Sequence, residues 1–189
     1  MSDMAYNEKL LVESAQRGDT DAQKAIYRLH IRYLTAVCSR YVVNQEDVKD
    51  IMQDAFIKIF SSLSFFEYRG DGSLKGWMYR IVLNQTMRFM QLNGRIKFAD
   101  ISEADESVAI SEPEMESIPT DVIYDLIRKL PDGYRTIFNL YVIEGKSHKE
   151  IAAMLDIKVN TSASQLHRAK AMLAAKIRHY QSTSEILSI

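Results

Sequence analysis

Hydrogen-bonding and cationic side chains crowd one stretch of the C-terminal third of the sequence. Residues 146–178 contain seven Lys or Arg residues, and Glu150 and Asp156 are the only acids among them. Hydroxyl, amide, imidazole and guanidinium groups can bond base edges and phosphates, and Arg can bridge either with two parallel bonds. The spacing predicts an outward helical face that carries such groups: Ser162, Ser164, Gln165, His167, Arg168 and Lys170. We therefore expect DNA contacts there, although a merely solvated face has a similar composition.

The elements that must position this face are three helices between residues 130 and 173. Pro131 suits the first position of a helix, and Gly145 ends that helix. Ser147 and Glu150 have the spacing of a capping box that starts a second helix. A third helix begins near Val159, with apolar residues at Val159, Ala163, Leu166, Leu173 and Ile177. Two helices joined by a tight turn indicate a helix-turn-helix, although a plain helical hairpin has much the same periodicity.

Aromatic and cationic residues also alternate in the middle of the chain. Residues 66–97 contain six Lys or Arg residues and two acids, together with Trp77 and several other aromatic residues. Single-stranded nucleic acid needs rings on which bases stack and cations along the backbone. A loop at residues 64–73 with turn-forming glycines therefore precedes a helix that can bind a single strand, while Trp77 itself is expected mainly in the core.

The clearest amphipathic helix begins at Asn44, a good N-cap residue. Its apolar residues share one wide face that must be buried: Val48, Ile51, Met52, Ala55, Phe56, Ile59, Phe60 and Leu63. The opposite face carries Lys49, Asp50, Gln53, Asp54 and Lys58. Periodicity alone predicts only that this second face is solvated.

Composition limits the class of protein. The chain has 189 residues, 47% of them hydrophobic and 26% charged, with a formal net charge of −1. These values suit one domain or two small globular domains, and a single cysteine, Cys38, suits a reducing compartment. We expect neither a signal peptide nor a membrane span. Between residues 98 and 127 there are nine acids and no Lys or Arg, which indicates a linker.

Four segments resemble extracytoplasmic-function (ECF) sigma factors. The segments LPDGYRTIFNLYVIEGKSHKEIAAMLDI and TSASQLHRAKAML look like region 4 of that family. EDVKDIMQDAFIKIF resembles region 2.2, and FFEYRGDGSLKGWMYRIVLN resembles regions 2.3 and 2.4. The resemblance implies a helix that docks on the β′ coiled coil of core RNA polymerase, a loop that captures a flipped base of the promoter −10 element, and a helix-turn-helix for the −35 element.

Carried over residue by residue, the resemblance implies three sets of contacts. Asp50, Gln53 and Asp54 would bind the polymerase. Tyr68, Arg69, Ser73, Lys75, Arg80, Asn84 and Arg88 would bind −10 DNA, and Thr161, Ser164, Gln165, His167 and Arg168 would bind −35 DNA. The family commonly has Gly at the positions of Asp156 and Asn160 and a base near Ala163, so the −35 sequence cannot be transferred from relatives.

Together these observations predict an all-α protein with two helical domains: region 2 at residues 1–95, an acidic linker at 96–120 and region 4 at 121–189. The predicted function is promoter-specific initiation as a cytoplasmic sigma factor, with core polymerase, promoter DNA and an anti-sigma factor as partners. We expect no metal, no cofactor and no catalytic activity, because no His or Cys spacing suggests a site. The alternative is an autonomous helix-turn-helix regulator that binds duplex operators without polymerase.

Overall fold

In the computed structural model, residues 7–96 and 118–186 are described, and every regular element in these two ranges is helical. The all-α prediction is confirmed. The chain divides into an N-terminal unit, Met1–Phe89, and a C-terminal unit, Met90–Ile189. Residues 97–117, most of the predicted linker, lie outside the described residues.

The N-terminal unit contains α1 (Glu8–Gln16), α2 (Thr20–Ser39), α3 (Gln45–Ser62), a 3-10 turn (Leu63–Phe65) and most of α4 (Ser73–Leu92). Side-chain caps begin three of these helices, because Asn7, Asp19 and Asn44 each accept hydrogen bonds from backbone N–H groups of the first turn. The Asn44 cap was predicted and is confirmed. Helix α2 packs against both α1 and α3, so the core of the unit lies between them.

The apolar face of α3 fills that core as its spacing predicts. Val48, Ile51, Met52, Ala55, Phe56, Ile59 and Leu63 are all buried, and Phe60 is half-buried. Each fully buried side chain of this size contributes about 1.5–3 kcal/mol through removal of apolar surface from water. The stripe therefore fixes which face of α3 is left for solvent or a partner.

The C-terminal unit contains α5 (Thr120–Arg128), α6 (Asp132–Phe138), a π-helical turn (Asn139–Ile143), α7 (His148–Leu155) and α8 (Val159–Ile186). Helices α5, α6 and α7 all pack against α8. The predicted capping box is confirmed, since Ser147 and Glu150 bond each other's backbone N–H groups at the start of α7. Asp156 ends α7 in the left-handed conformation, with φ of 53°, and so makes the turn into α8.

The buried face of α8 differs from the prediction. Val159 is 43% exposed and Ala163 is exposed, whereas Ser162 and Gln165, predicted to point outward, are buried. The inner face instead continues from Ser162 and Gln165 through Leu166 and on to Ala169, Leu173 and Ile177. A small hydroxyl residue fits where α7 meets α8, and Ser162 Oγ lies 2.9 Å from His148 Nδ1 on α7. Apolar spacing alone could not find a face that begins with polar residues.

Within the described residues, no helix is long and apolar enough to cross a membrane.

Candidate nucleic-acid interfaces

A tight loop joins the 3-10 turn to α4. Gly70 and Gly72 have φ of 110° and 82°, backbone conformations that residues with a Cβ rarely adopt. The loop is closed by its own backbone, because Ser73 N–H donates to Gly70 O at 3.1 Å and Arg69 N–H donates to Ser73 Oγ at 3.2 Å. The hydroxyl of Ser73, predicted to contact DNA, is thus also a structural acceptor within the loop.

A cleft of about 540 Å³ lies against this loop, within the range of roughly 300–1,000 Å³ that is usual for ligand sites. The rings of Phe66 and Trp77 are 5.0 Å apart at its wall, and Phe65 is 85% exposed. The cleft is lined by Phe65, Phe66, Glu67, Arg69, Gly72, Ser73, Gly76, Trp77 and Arg80. Aromatic walls with guanidinium groups nearby can stack a nucleobase and hold its phosphate.

The structure brings three of the predicted −10 residues to this cleft, namely Arg69, Ser73 and Arg80. Trp77 and Phe65 also line the cleft. Trp77 was expected mainly in the core but lies at the cleft wall, only half-buried. The exposure of Phe65 was left open, because the spacing of aromatic residues in a loop has no period from which to infer it.

Two other predicted residues lie beside the cleft rather than in it. The Tyr68 hydroxyl donates to Asp71 Oδ1 at 2.6 Å, and this bond to a carboxylate raises the pKa of Tyr68 to about 12. Lys75 Nζ lies 4.1 Å from the centre of the Tyr33 ring on α2, in a cation–π contact. Tyr68 is therefore a neutral donor at any physiological pH, and Lys75 presents its charge at the loop edge.

The remaining −10 residues follow along α4. Arg80, Asn84 and Arg88 are exposed and are spaced four residues apart, so they form one polar row leading away from the cleft. Arg80 Nε donates to Gly76 O at 3.3 Å, which turns the guanidinium back towards the loop. A strand entering the cleft would meet this row next.

The exposed side of α3 adjoins a second, more apolar groove. Asp50, Gln53 and Asp54 are exposed, as predicted for the face opposite the buried stripe. Gln53 also lines a groove of about 750 Å³ between α2 and α3, whose walls include Tyr27, Ile31, Phe56, Ile57 and Phe60. Ile57 is 61% exposed. An apolar groove with acidic neighbours is typical of a docking surface for another protein.

On α8, the structure separates the predicted −35 residues. Thr161, Ser164, His167 and Arg168 are half-buried at the sides of the helix. Gln165 is 2% exposed and lies on the inner face of the helix, so the structure does not bring it together with the other predicted −35 contacts. The Nε2 atom of His167 is also enclosed, which leaves only the rest of its ring for a contact. Asn160, Ala163 and Lys170 are exposed in the same half of the helix.

Among the described residues, no group of three or more His, Cys, Asp or Glu side chains could hold a metal ion. The Cys38 thiol is buried, and burial raises its pKa.

Comparison with known proteins supports what these surfaces suggest. The family model described as Sigma-70 region 2 matches residues 26–96, and the one described as Sigma-70, region 4 matches residues 120–173. The chain is 32% identical to the ECF RNA polymerase sigma-E factor of Escherichia coli (strain K12) over 186 residues, covering 90% of this chain and 94% of the relative. It is 29% identical to the sigma-E factor of Haemophilus influenzae over 183 residues, covering 90% and 95%.

Two solved structures are also similar. CnrH in complex with the cytosolic domain of CnrY has 22% identity and a TM-score of 0.48, covering 91% of this chain and 97% of that one. The sigma factor RpoE in complex with the anti-sigma factor NepR from Bartonella quintana has 23% identity and a TM-score of 0.48, covering 82% and 96%.

The helical units and their polar surfaces are those of a two-module sigma factor. The chain belongs to the ECF RNA polymerase sigma factors. It is a polymerase-binding subunit that acts in promoter-specific transcription initiation, and the family is one of transcription factors.

Proposed function

We propose that the two units divide promoter recognition, with −10 capture and polymerase docking at residues 1–95 and −35 binding at residues 121–189. The observation that carries this proposal is the aromatic cleft against the loop at residues 66–72, with Arg69 and Arg80 at its edge. An unpaired base stacks there, and the strand continues along Asn84 and Arg88. Stacking contributes about 1–3 kcal/mol per base, which offsets the few kcal/mol needed to extrude it.

Tyr68 and Ser73 support the loop in this scheme, and Lys75 meets the strand's phosphates at the loop edge. Tyr68 holds Asp71 through its hydroxyl, and Ser73 holds the Arg69 N–H. Each therefore affects capture through the shape of the loop. This differs from the family-derived expectation, in which they are only candidate contacts.

The polymerase surface is the exposed side of α3 together with its apolar groove. The charges of Asp50 and Asp54 orient the partner. Gln53 lies between them in the sequence and also lines the groove. A partner helix, such as one arm of the β′ coiled coil, has the width and periodicity to lie in such a groove. Polar groups around an apolar centre suit a reversible association.

The −35 surface is the outer side of α8, here redefined by exposure. Asn160 and Lys170 join Thr161, Ser164, His167 and Arg168, while Gln165 leaves the set. The amide of Asn160 can bond adenine with two parallel bonds, and Arg168 can do the same with guanine.

The family resemblance also supports an anti-sigma factor as a partner, a cytoplasmic location with the polymerase, and a protein that is not itself an enzyme. An anti-sigma factor bound in the α3 groove would prevent the polymerase from docking there. Of the predicted linker at residues 96–120, residues 97–117 lie outside the described residues.

Charge reversal on α3 tests the polymerase surface. Asp54→Arg should weaken binding to core RNA polymerase about tenfold or more, because the side chain is exposed, off the buried stripe and beside the groove. Affinity is measured by titrating labelled chain with core enzyme at two salt concentrations.

Asp21→Arg is the matched control. Asp21 is exposed on the first turn of α2, where its ion pair with Lys24 contributes little, and it does not line the groove. Core affinity should stay near wild type in this variant. Equal losses in both variants, or none in either, would overturn the assignment of the α3 face.

A further inference from the structure

Helix α1 is bonded to both ends of the segment that forms the cleft. At its C-terminal end, Gln16 Nε2 donates to Leu63 O at 3.0 Å and to Phe66 O at 2.8 Å. The Leu63 carbonyl comes before the loop and the Phe66 carbonyl belongs to its first residue, whose ring forms a wall of the cleft. One amide group therefore joins the Leu63 carbonyl, which also accepts the Phe66 N–H within the 3-10 turn, to the Phe66 carbonyl that follows this turn.

The other end of α1 holds the far end of the loop. Gly72 N–H donates to Glu8 Oε2 at 2.7 Å, a short charge-assisted bond. Gly72 also lines the cleft, and its positive φ shows that the backbone there is held in a specific turn. Glu8 and Gln16 are the first and last residues of α1, about 12 Å apart along a rigid helix.

We propose that α1 is a brace for the base-capturing loop, and that Glu8 and Gln16 are positioning residues for −10 recognition. The proposal rests on the proposed function of the cleft. Sequence periodicity makes α1 part of the scaffold, but its buried residues are only Val12 and Ala15, a small apolar contribution for nine residues. Among the residues that the structure describes, its long-range side-chain hydrogen bonds go to the segment from Leu63 to Gly72.

The brace acts by fixing the loop before DNA arrives. A loop that is already held at both ends loses less conformational entropy when it binds a base. The base is therefore bound more tightly. Removing the brace should therefore weaken binding of a single strand more than binding of core polymerase. Gln16 reaches α3 only at its C-cap, Leu63, and neither Gln16 nor Glu8 lines the α3 groove. A role in overall stability alone would weaken both together.

Two readouts test the brace on the full chain. The first is hydrogen exchange of the amides of residues 66–73 in the free protein. The second is binding of the holoenzyme to a labelled oligonucleotide that carries the non-template −10 strand of a promoter mapped with the same holoenzyme. Gln16→Met, which keeps side-chain length and removes both donors, should speed loop exchange and weaken strand binding about fivefold, with core affinity unchanged.

Conservative and control variants separate positioning from packing. Glu8→Gln keeps an oxygen acceptor for the Gly72 N–H and should bind the strand nearly as well as wild type, whereas Glu8→Met should resemble Gln16→Met. Gln23→Met is the matched control, because Gln23 Nε2 donates to Ala15 O at 3.2 Å and touches no loop carbonyl.

Loop exchange and strand affinity that are the same in Gln16→Met and Gln23→Met would overturn the brace. A wild-type holoenzyme that does not bind the single strand would instead overturn the assignment of the cleft, and the positioning role with it. Faster exchange with weaker strand binding in Gln16→Met and Glu8→Met alone is the expected result.

Discussion

Arg135 stabilises the C-terminal unit through buried hydrogen bonds of its side chain. Its side chain is buried, and its Nη1 donates to the carbonyls of Arg128 at 3.1 Å and Leu130 at 2.8 Å. Its Nη2 pairs with Asp132 at 2.6 Å. These bonds join the end of α5 to the start of α6. The guanidinium of Arg135 therefore serves the packing of this unit, and it lies outside the cation-rich segments at residues 66–97 and 146–178.

Replacing Arg135 by Met should destabilise the C-terminal unit by about 3 kcal/mol. The substitution leaves two carbonyls and a partly buried carboxylate without this partner, and the loss of one member of a buried pair is costly. Urea unfolding followed by circular dichroism measures the change. Arg128→Met, at an exposed position of α5, should change stability by less than about 1 kcal/mol; an equal effect in the two variants would show that Arg135 has no special role.

Exposure on α8 predicts a different pair of outcomes for two amide residues. Asn160→Ala should weaken binding of the holoenzyme to −35 DNA by about 1–3 kcal/mol if the amide contacts a base. Gln165→Met should leave that affinity unchanged, since the side chain is buried and its Nε2 has no hydrogen-bond partner among the described residues. Competition with promoter fragments that differ only in the −35 element measures both, and a strong DNA defect in Gln165→Met would contradict the orientation of α8.

At the scale of elements, short-range signals in the sequence were reliable and long-range ones were not. The Asn44 cap and the Ser147–Glu150 box depend on neighbours three residues apart, and the structure has both. The face of α8 depends on how closely α7 approaches, which Ser162 decides and apolar spacing cannot show. The bonds from Gln16 to Leu63 and Phe66 cross 47 and 50 residues, so no local pattern contains them.

The capping box makes the stability of the C-terminal unit depend on pH. Bonds from the Ser147 hydroxyl, and then from its backbone N–H, hold the pKa of Glu150 below the ordinary value of 4.5. A depressed folded pKa stabilises the unit at pH values above the unfolded pKa, and that contribution is lost as the pH falls through the folded pKa. We therefore expect a loss of stability that begins near pH 4.5 and continues below it.

Ser147→Ala isolates this contribution. The variant should lose about 1 kcal/mol near neutral pH, from the missing cap, and should show a flatter decline of stability below pH 4.5. Urea midpoints from pH 3.5 to 7 measure it. Ser182→Ala is the control, because that hydroxyl only bonds the His179 carbonyl on the exposed end of α8 at 3.0 Å; a decline of the same steepness in Ser147→Ala and wild type would contradict the linkage.

At the scale of the molecule, a net charge of −1 conceals separate surfaces of opposite character. On α3, Asp50 and Asp54 are exposed near an apolar groove whose lining includes Lys49. Cations edge the cleft and follow α4, and Lys and Arg residues dominate residues 146–178. Local charge therefore suits different partners, protein at one surface and nucleic acid at the others. An autonomous regulator would use the α8 surface and would leave the groove and the aromatic cleft without a function.

Transcription with purified components tests the central claim most directly. The chain is mixed with core RNA polymerase on a library of genomic fragments, and start sites are mapped. We predict starts that share −10 and −35 elements and occur only when both components are present. Failure of the chain to bind core enzyme, together with sequence-specific binding of duplex DNA by the chain alone, would contradict the account.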